Sequence, residues 1–197
     1  DGYPVTAIDA EAFSGCSKIT AVTLPETLQA IGRNAFYGCS KLKYINFPQS
    51  ITSIGRSAFG YCKNLTGITL PEKLTSIGYS AFADCDNLKE LTIPKGVTII
   101  PGRCFDSCDK LNRVKLPEGL TTIEHSAFRY CGKLEDLNIP STLTSIGKEA
   151  FRSCYLPSVL VLPDGITTIE NKAFYSCGGL NEITIPEGVT SIGDQAF

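Results

Sequence analysis

Ala35-Phe36-Tyr37-Gly38-Cys39 is one instance of an Ala-Phe-x-x-Cys stretch that returns along the whole chain at an interval of 23 residues. Phenylalanine stands at Phe13, Phe36, Phe59, Phe82, Phe105, Phe128, Phe151, Phe174 and Phe197. Cysteine follows at Cys16, Cys39, Cys62, Cys85, Cys108, Cys131, Cys154 and Cys177, with no insertion or deletion. A fixed period of this length is the signature of a repeat solenoid, in which each unit buries its apolar face only against its neighbours. A chain of 197 residues would allow two small domains, but an unbroken period overrides that prior. Residues 1–197 therefore read as one array of about eight and a half repeats.

Residues 19–39 show what each unit contains. Val22 and Leu24 alternate with Ala21 and Thr23, the pattern of a half-buried strand. The same alternation runs through Ile45/Phe47, Ile68/Leu70, Leu91/Ile93, Val114/Leu116, Leu137/Ile139, Leu160/Leu162 and Ile183/Ile185. One strand per repeat stacks into a parallel sheet with a spacing of about 4.8 Å. A proline closes each strand, from Pro25 to Pro186, because a residue without an N–H cannot continue a ladder. Leu28 and Ile31 then bracket a second short extended segment, expected to form a weaker ladder. Gly32 and its equivalents mark a bend, although Glu124 and Glu170 take the same place, so a positive φ is not obligatory there. Ala35, Phe36, Cys39 and Leu42 have the spacing of one buried side of a short helical turn, with Asn34, Ser57, Ser80 and Ser126 placed to cap it. Each unit thus directs about eight side chains inward, for example Leu42, Ile45, Phe47, Ile51, Ile54, Ala58, Phe59 and Cys62.

Composition narrows the function classes. The net charge is -2 and the pI near 5.5. No run of Lys and Arg is long enough for phosphate-backbone binding, so no nucleic-acid partner is expected. No apolar run approaches the roughly 20 residues that cross a bilayer, and Asp1-Gly2-Tyr3-Pro4 does not open like an export signal. Neither end carries the polar cap that solenoids use. The chain is accordingly expected to be a segment of a longer protein.

The pattern Leu-x-x-Ile-x-Leu-Pro-x-x-Leu-x-x-Ile-Gly-x-x-Ala-Phe-x-x-Cys resembles the BspA-type, or Treponema-pallidum-type, leucine-rich repeat, over essentially the whole chain. The resemblance implies a right-handed curved solenoid with one parallel strand per repeat on the concave face. It also implies an extracellular or cell-surface protein with a role in adhesion, whose partner is a protein or a glycan of host matrix or cell surface. It transfers no functional residue, because the shared motif is structural. Two units depart from the pattern: Pro101-Gly102-Arg103-Cys104 replaces the usual Gly and Ala, and Tyr155-Leu156-Pro157-Ser158 places Leu156 one position early. Local distortion is expected at both, without a change of topology.

No residue set points to catalysis. Eight of the nine cysteines occupy one equivalent site per repeat and the ninth, Cys104, precedes Phe105. Metal sites need clustered ligands and parallel stacked cysteines are poorly oriented for disulfides, so buried free thiols are the favoured reading and no cofactor or metal is expected. His125 falls in a variable surface slot. The threonine row Thr52, Thr75, Thr98, Thr121, Thr144, Thr167 and Thr190 suits an exposed extended segment, with contact to glycans as the alternative. No acid, base and nucleophile set is present, and the chain reads as a non-catalytic binding module. The alternative is an accessory array beside a catalytic domain outside this segment.

Specificity then belongs to positions that the period leaves free. On the outward strand face these include Tyr44, Asn46, Glu90, Arg113, Lys115, Asp136, Asn138 and Glu182. Arg113 and Lys115 form a basic centre between Glu90 and Asp136, while Val159 and Val161 leave an apolar spot. The row is expected to contact a protein or glycan partner. The alternative is that opposite charges on adjacent repeats neutralise one another, worth ~0–1 kcal/mol when exposed.

Overall fold

A computed structural model describes residues 3–197. Asp1 and Gly2, which the single-array reading includes, lie outside the described residues. Every coil is built from short parallel strands and turns, and the alternation of apolar residues decides which side faces in. The eight inward positions of the second coil, Leu42 to Cys62, are all buried.

The first ladder comprises Ala21–Val22, Tyr44–Ile45, Glu90–Thr92, Arg113–Lys115, Asp136–Leu137, Val159–Val161 and Glu182–Thr184. Its register is one repeat, so Glu90 stands beside Arg113 and Arg113 beside Asp136. The second ladder has a strand in every coil, from Ala7–Ile8 through Ile99–Ile100 to Ser191–Ile192. It is therefore the more regular of the two, contrary to expectation. The cause lies in the threonine row. Thr52, Thr75, Thr121, Thr144 and Thr190 each donate a hydroxyl to a carbonyl of the preceding coil at 3.2–3.3 Å, reinforcing the backbone bonds. The first ladder instead skips the coil at Gly67, where no side chain favours a strand.

The Ala-Phe-x-x-Cys stretch is not a helical turn. Two residues four apart, such as Asn34 (φ 54) and Gly38 (φ 70) or Ser57 (φ 50) and Tyr61 (φ 61), adopt left-handed φ in each coil, which interrupts any α-helix. Alternate N–H groups close local turns, as in Ala35 to Gly32 and Cys39 to Phe36. The others leave the coil altogether: Asn34, Phe36 and Gly38 donate to the carbonyls of Arg56, Ala58 and Gly60 at 2.8–2.9 Å. Inter-coil bonds thus replace the i to i−4 bonds of a helix. The expected capping residues Asn34, Ser57, Ser80 and Ser126 are the left-handed residues themselves. Gly32 has an ordinary φ and serves close approach, since a Cβ there would stand 2.7 Å from the Ala10 nitrogen of the preceding coil.

Nine phenylalanines stack face to face along the interior, with centroids 5.1–5.7 Å apart and ring planes within 14°. Such pairs contribute ~0.5–1.5 kcal/mol each beyond burial. Each inner ring serves two neighbours.

Both ladders lapse at the same two junctions. Ser76–Ile77 does not pair with Ile99–Ile100, and Ser145–Ile146 does not pair with Thr168–Ile169; the first ladder is also unpaired before Glu90–Thr92 and between Asp136–Leu137 and Val159–Val161. An irregular unit stands at each of these junctions. Pro101 occupies the position from which Gly32, Gly55, Glu124, Gly147 and Gly193 donate to an isoleucine carbonyl of the preceding coil at 2.7–2.9 Å, and proline has no N–H to donate. Pro157 leads into Val159–Val161. On the turn side the ties persist at both places, as in Phe82 to Cys104 at 2.9 Å and Phe151 to Ala173 at 2.8 Å. The topology is retained, and the sheets divide into three blocks on a continuous spine.

Phe105 is fully buried between Phe82 and Phe128, so Phe105→Ala is expected to lower the urea-unfolding free energy by about 3–5 kcal/mol, without loss of the strand signal in circular dichroism. Amide hydrogen exchange is expected to be faster at Ile99–Ile100 than at Thr122–Ile123, with Phe82 and Phe151 protected throughout. Equal protection of both strands would contradict the three-block description.

Candidate functional site

The outward residues of the first ladder are all exposed, as the strand alternation requires. Five of the eight candidates are brought together. Arg113 donates from Nε to Asp136 Oδ2 at 2.6 Å and its Nη1 lies 3.7 Å from Glu90 Oε2, so one guanidinium bridges three coils. Lys115 projects beside it on the same strand, opposite Thr92. Asn138 follows in the next coil but is committed to the scaffold. Its amide accepts from the Leu116 N–H and donates to the Leu116 carbonyl, both at 2.9 Å, extending the ladder one residue beyond the strand.

The other three stand apart. Asn46 makes the same bridge to Leu24, accepting at 2.7 Å and donating at 3.4 Å. Tyr44 is exposed, with the Lys43 ammonium 5.1 Å from its ring centre, and the coil of Gly67 separates it from Glu90. Glu182 faces Val159, which keeps it from Asp136.

Sequence reasoning missed the neighbouring groove. Where the Gly67 coil drops out of the ladder, an open groove of about 240 Å³ forms between that coil and Glu90–Thr92. Thr69, Leu70 and Glu72 line one side, and Glu90, Thr92 and Arg113 the other. Glu72 lies beyond Pro71, outside the alternating pattern, so only the glycine hinted at the site. Among the described residues no backbone hydrogen bond joins residues 67–70 to either neighbouring coil, which leaves polar main-chain groups at the groove.

The cysteines form a built row of another kind. In seven coils the thiol donates to the phenylalanine carbonyl of the preceding coil, as in Cys62 to Phe36 at 3.2 Å and Cys154 to Phe128 at 2.9 Å. That carbonyl also accepts the local Cys N–H, so both lone pairs are used. The residue is a donor, and not merely a small apolar filler. All nine cysteines are free. Burial pushes the thiols of Cys85, Cys104, Cys108 and Cys131 well up from an ordinary 9.0, and that of Cys177 up to about 12, so they remain protonated and poorly nucleophilic. His125 is exposed and leans across Gly102 towards Tyr79, with ring centres 5.8 Å apart.

Residues 3–112 and 80–197 both match the family described as BspA type leucine rich repeat region (6 copies). The chain belongs to this family. A leucine rich cell surface protein from Faecalibacterium prausnitzii is 31% identical over 99% of this chain, with a TM-score of 0.76. This chain spans 62% of that structure's length. A leucine-rich repeat protein from Bacteroides ovatus is 30% identical over 99% of this chain and 68% of its own, with a TM-score of 0.64. No curated protein matches. Among the described residues no helix is long and apolar enough to cross a membrane.

The thiols also set a pH response. Their folded values lie above the unfolded one, so the stability they confer is full below about pH 9 and declines as pH rises through the folded values. Each fully buried thiol contributes a slope of up to about 1.4 kcal/mol per pH unit in that window. The urea midpoint is expected to be lower at about pH 10.5 than at about pH 8, and replacing Cys108 by Ser should reduce the difference.

Proposed function

We propose that this chain is a non-catalytic interaction module of a cell-surface or secreted protein, engaging a protein or glycan partner through the outward face of its first ladder. The observation that carries the reading is the Glu90–Arg113–Asp136 row beside the Gly67 groove. The ion pairs are 61–70% exposed, so they add ~0–1 kcal/mol to stability and their charges remain open to a partner. A rigid parallel ladder holds the side chains in fixed rows, which lowers the ordering cost of binding. Lys115 and the main chain of residues 67–70 add donors and acceptors at the same place. The similarity to a leucine rich cell surface protein supports the location.

A screen of the chain against matrix proteins, cells and glycans is expected to find a partner whose affinity falls at least about tenfold when Arg113→Glu and Lys115→Glu are combined, with the unfolding transition shifted by less than ~1 kcal/mol. Undiminished binding by the double variant would remove the first ladder from the interaction.

A further inference from the structure

The turn side presents a second and differently built surface. One residue per coil forms a column there: Tyr37, Gly60, Ala83, Asp106, Arg129, Arg152 and Tyr175. In the later coils the column is filled by long side chains that pair with one another, with only the Arg152 Nε left buried without a partner among the described residues. Arg129 holds both oxygens of Asp106 at 3.1 and 2.7 Å and its Nη1 lies 3.5 Å from Glu149. Glu149 in turn meets Arg152 at 3.4 Å. Both guanidinium groups also lie 5.0–5.8 Å from the Tyr130 ring centre.

The earlier coils lack this filling. Gly60 and Ala83 leave a groove of about 250 Å³ between Tyr37 and Asp106. Its aromatic walls are Tyr37 and Tyr61, which meet edge to face at 5.3 Å, and Tyr79, which carries Arg56 at 5.0 Å. Among the described residues the Asp84 carboxylate, the Arg103 guanidinium and the hydroxyls of Ser57 and Ser80 take no side-chain hydrogen bond or ion pair, although all four residues line the groove. Burial, and then the charge of Asp106, raise the Asp84 carboxyl above its usual range. Asp84 takes the place of Tyr61 in the next coil, and the Tyr61 N–H donates to the Ala83 carbonyl beside it at 2.8 Å, so the two groups are neighbours at one end.

The chemistry narrows the ligand. With Asp106 held by Arg129 and Arg56 lying over Tyr79, the charges of the groove left unpaired among the described residues are Arg103 and Asp84, one of each sign, so it favours no single charge. What it offers is exposed ring surface next to unpaired donors and acceptors, in a volume below the roughly 300–1,000 Å³ of drug-sized sites. A pyranose has matching features: an apolar C–H face on one side and a ring of hydroxyls that both donate and accept. We propose that this groove binds a neutral pyranose sugar, with Tyr61 against its C–H face and Asp84 and Arg103 taking its hydroxyls. The site shares no residue with the Arg113 row and stands or falls independently of it.

Saturation-transfer NMR on the whole chain tests the proposal, with the methyl glycosides of glucose, galactose, mannose and N-acetylglucosamine as probes. Transfer to at least one probe is expected, falling at least about tenfold in Tyr61→Ala and Asp84→Asn. Ala83→Arg supplies a variant that the fold accepts, because Arg129 and Arg152 already occupy the equivalent position; it should fill the groove and abolish transfer even if Tyr61→Ala unfolds. The Arg113/Lys115 double variant should retain the signal. No transfer to any probe, or transfer that survives Ala83→Arg, would overturn the proposal, as would binding of a basic peptide at the groove with none of the sugars.

Discussion

Each coil is tied to the next by main-chain hydrogen bonds on the turn side, three per coil in the pattern of Asn34, Phe36 and Gly38, and the remaining structure depends on those ties. They require left-handed φ at two residues per coil, most of them not glycine. Such residues each cost of order 1–3 kcal/mol and persist only where the surroundings over-determine them. Here the surroundings are the phenylalanine stack and the cysteine thiols. The ring fixes the coil spacing, the thiol closes the carbonyl that the turn leaves half-used, and the sheets need only follow. That explains why the ladders can lapse at Pro101 and Pro157 while the array continues.

The buried half of this molecule was legible because burial repeats. Phe36, Leu42 and Ile54 recur at fixed positions, and an apolar residue has few alternatives to the interior. The turn was misread for an instructive reason: Ala35, Phe36, Cys39 and Leu42 have helical spacing, but spacing alone does not say whether the N–H of Phe36 turns back to its own coil or forward to Ala58. The residue two before each phenylalanine carried little signal, since it is Asn34 or a serine in four coils but Glu11, Arg103, Glu149, Lys172 or Gln195 in the others, all with left-handed φ. Asn46 and Asn138 were legible as outward residues but not as ladder extensions, which depend on the position of a neighbouring main chain. The charged row around Arg113 followed from strand alternation alone. The grooves did not, because each arises from what a coil lacks at Gly67, Gly60 or Ala83.

Surface individuality is thus written mainly by omission. A strict period would produce a uniform ribbon with no preferred place for a ligand. Gly67 opens the sheet next to a charged row, and Gly60 with Ala83 opens the turn side next to tyrosines. Both openings involve the junction where Pro101 weakens the ladders, so recognition features and structural irregularity occupy the same stretch of the array.

The turn-side bonds have one further property. The ladders send hydrogen bonds both ways along the axis, as in Thr52 back to Gln29 and Ile93 forward to Lys115, but the main-chain bonds at the Asn34, Phe36 and Gly38 positions of the turns all run from a coil to its successor. Peptide dipoles of about 3.5 D are therefore aligned there in one sense. The spine has a polarity, with carbonyls directed towards the first coil and N–H groups towards the last. Such an array can be lengthened only by coils added in the same orientation, and its two faces are electrostatically distinct even though the sequence repeats.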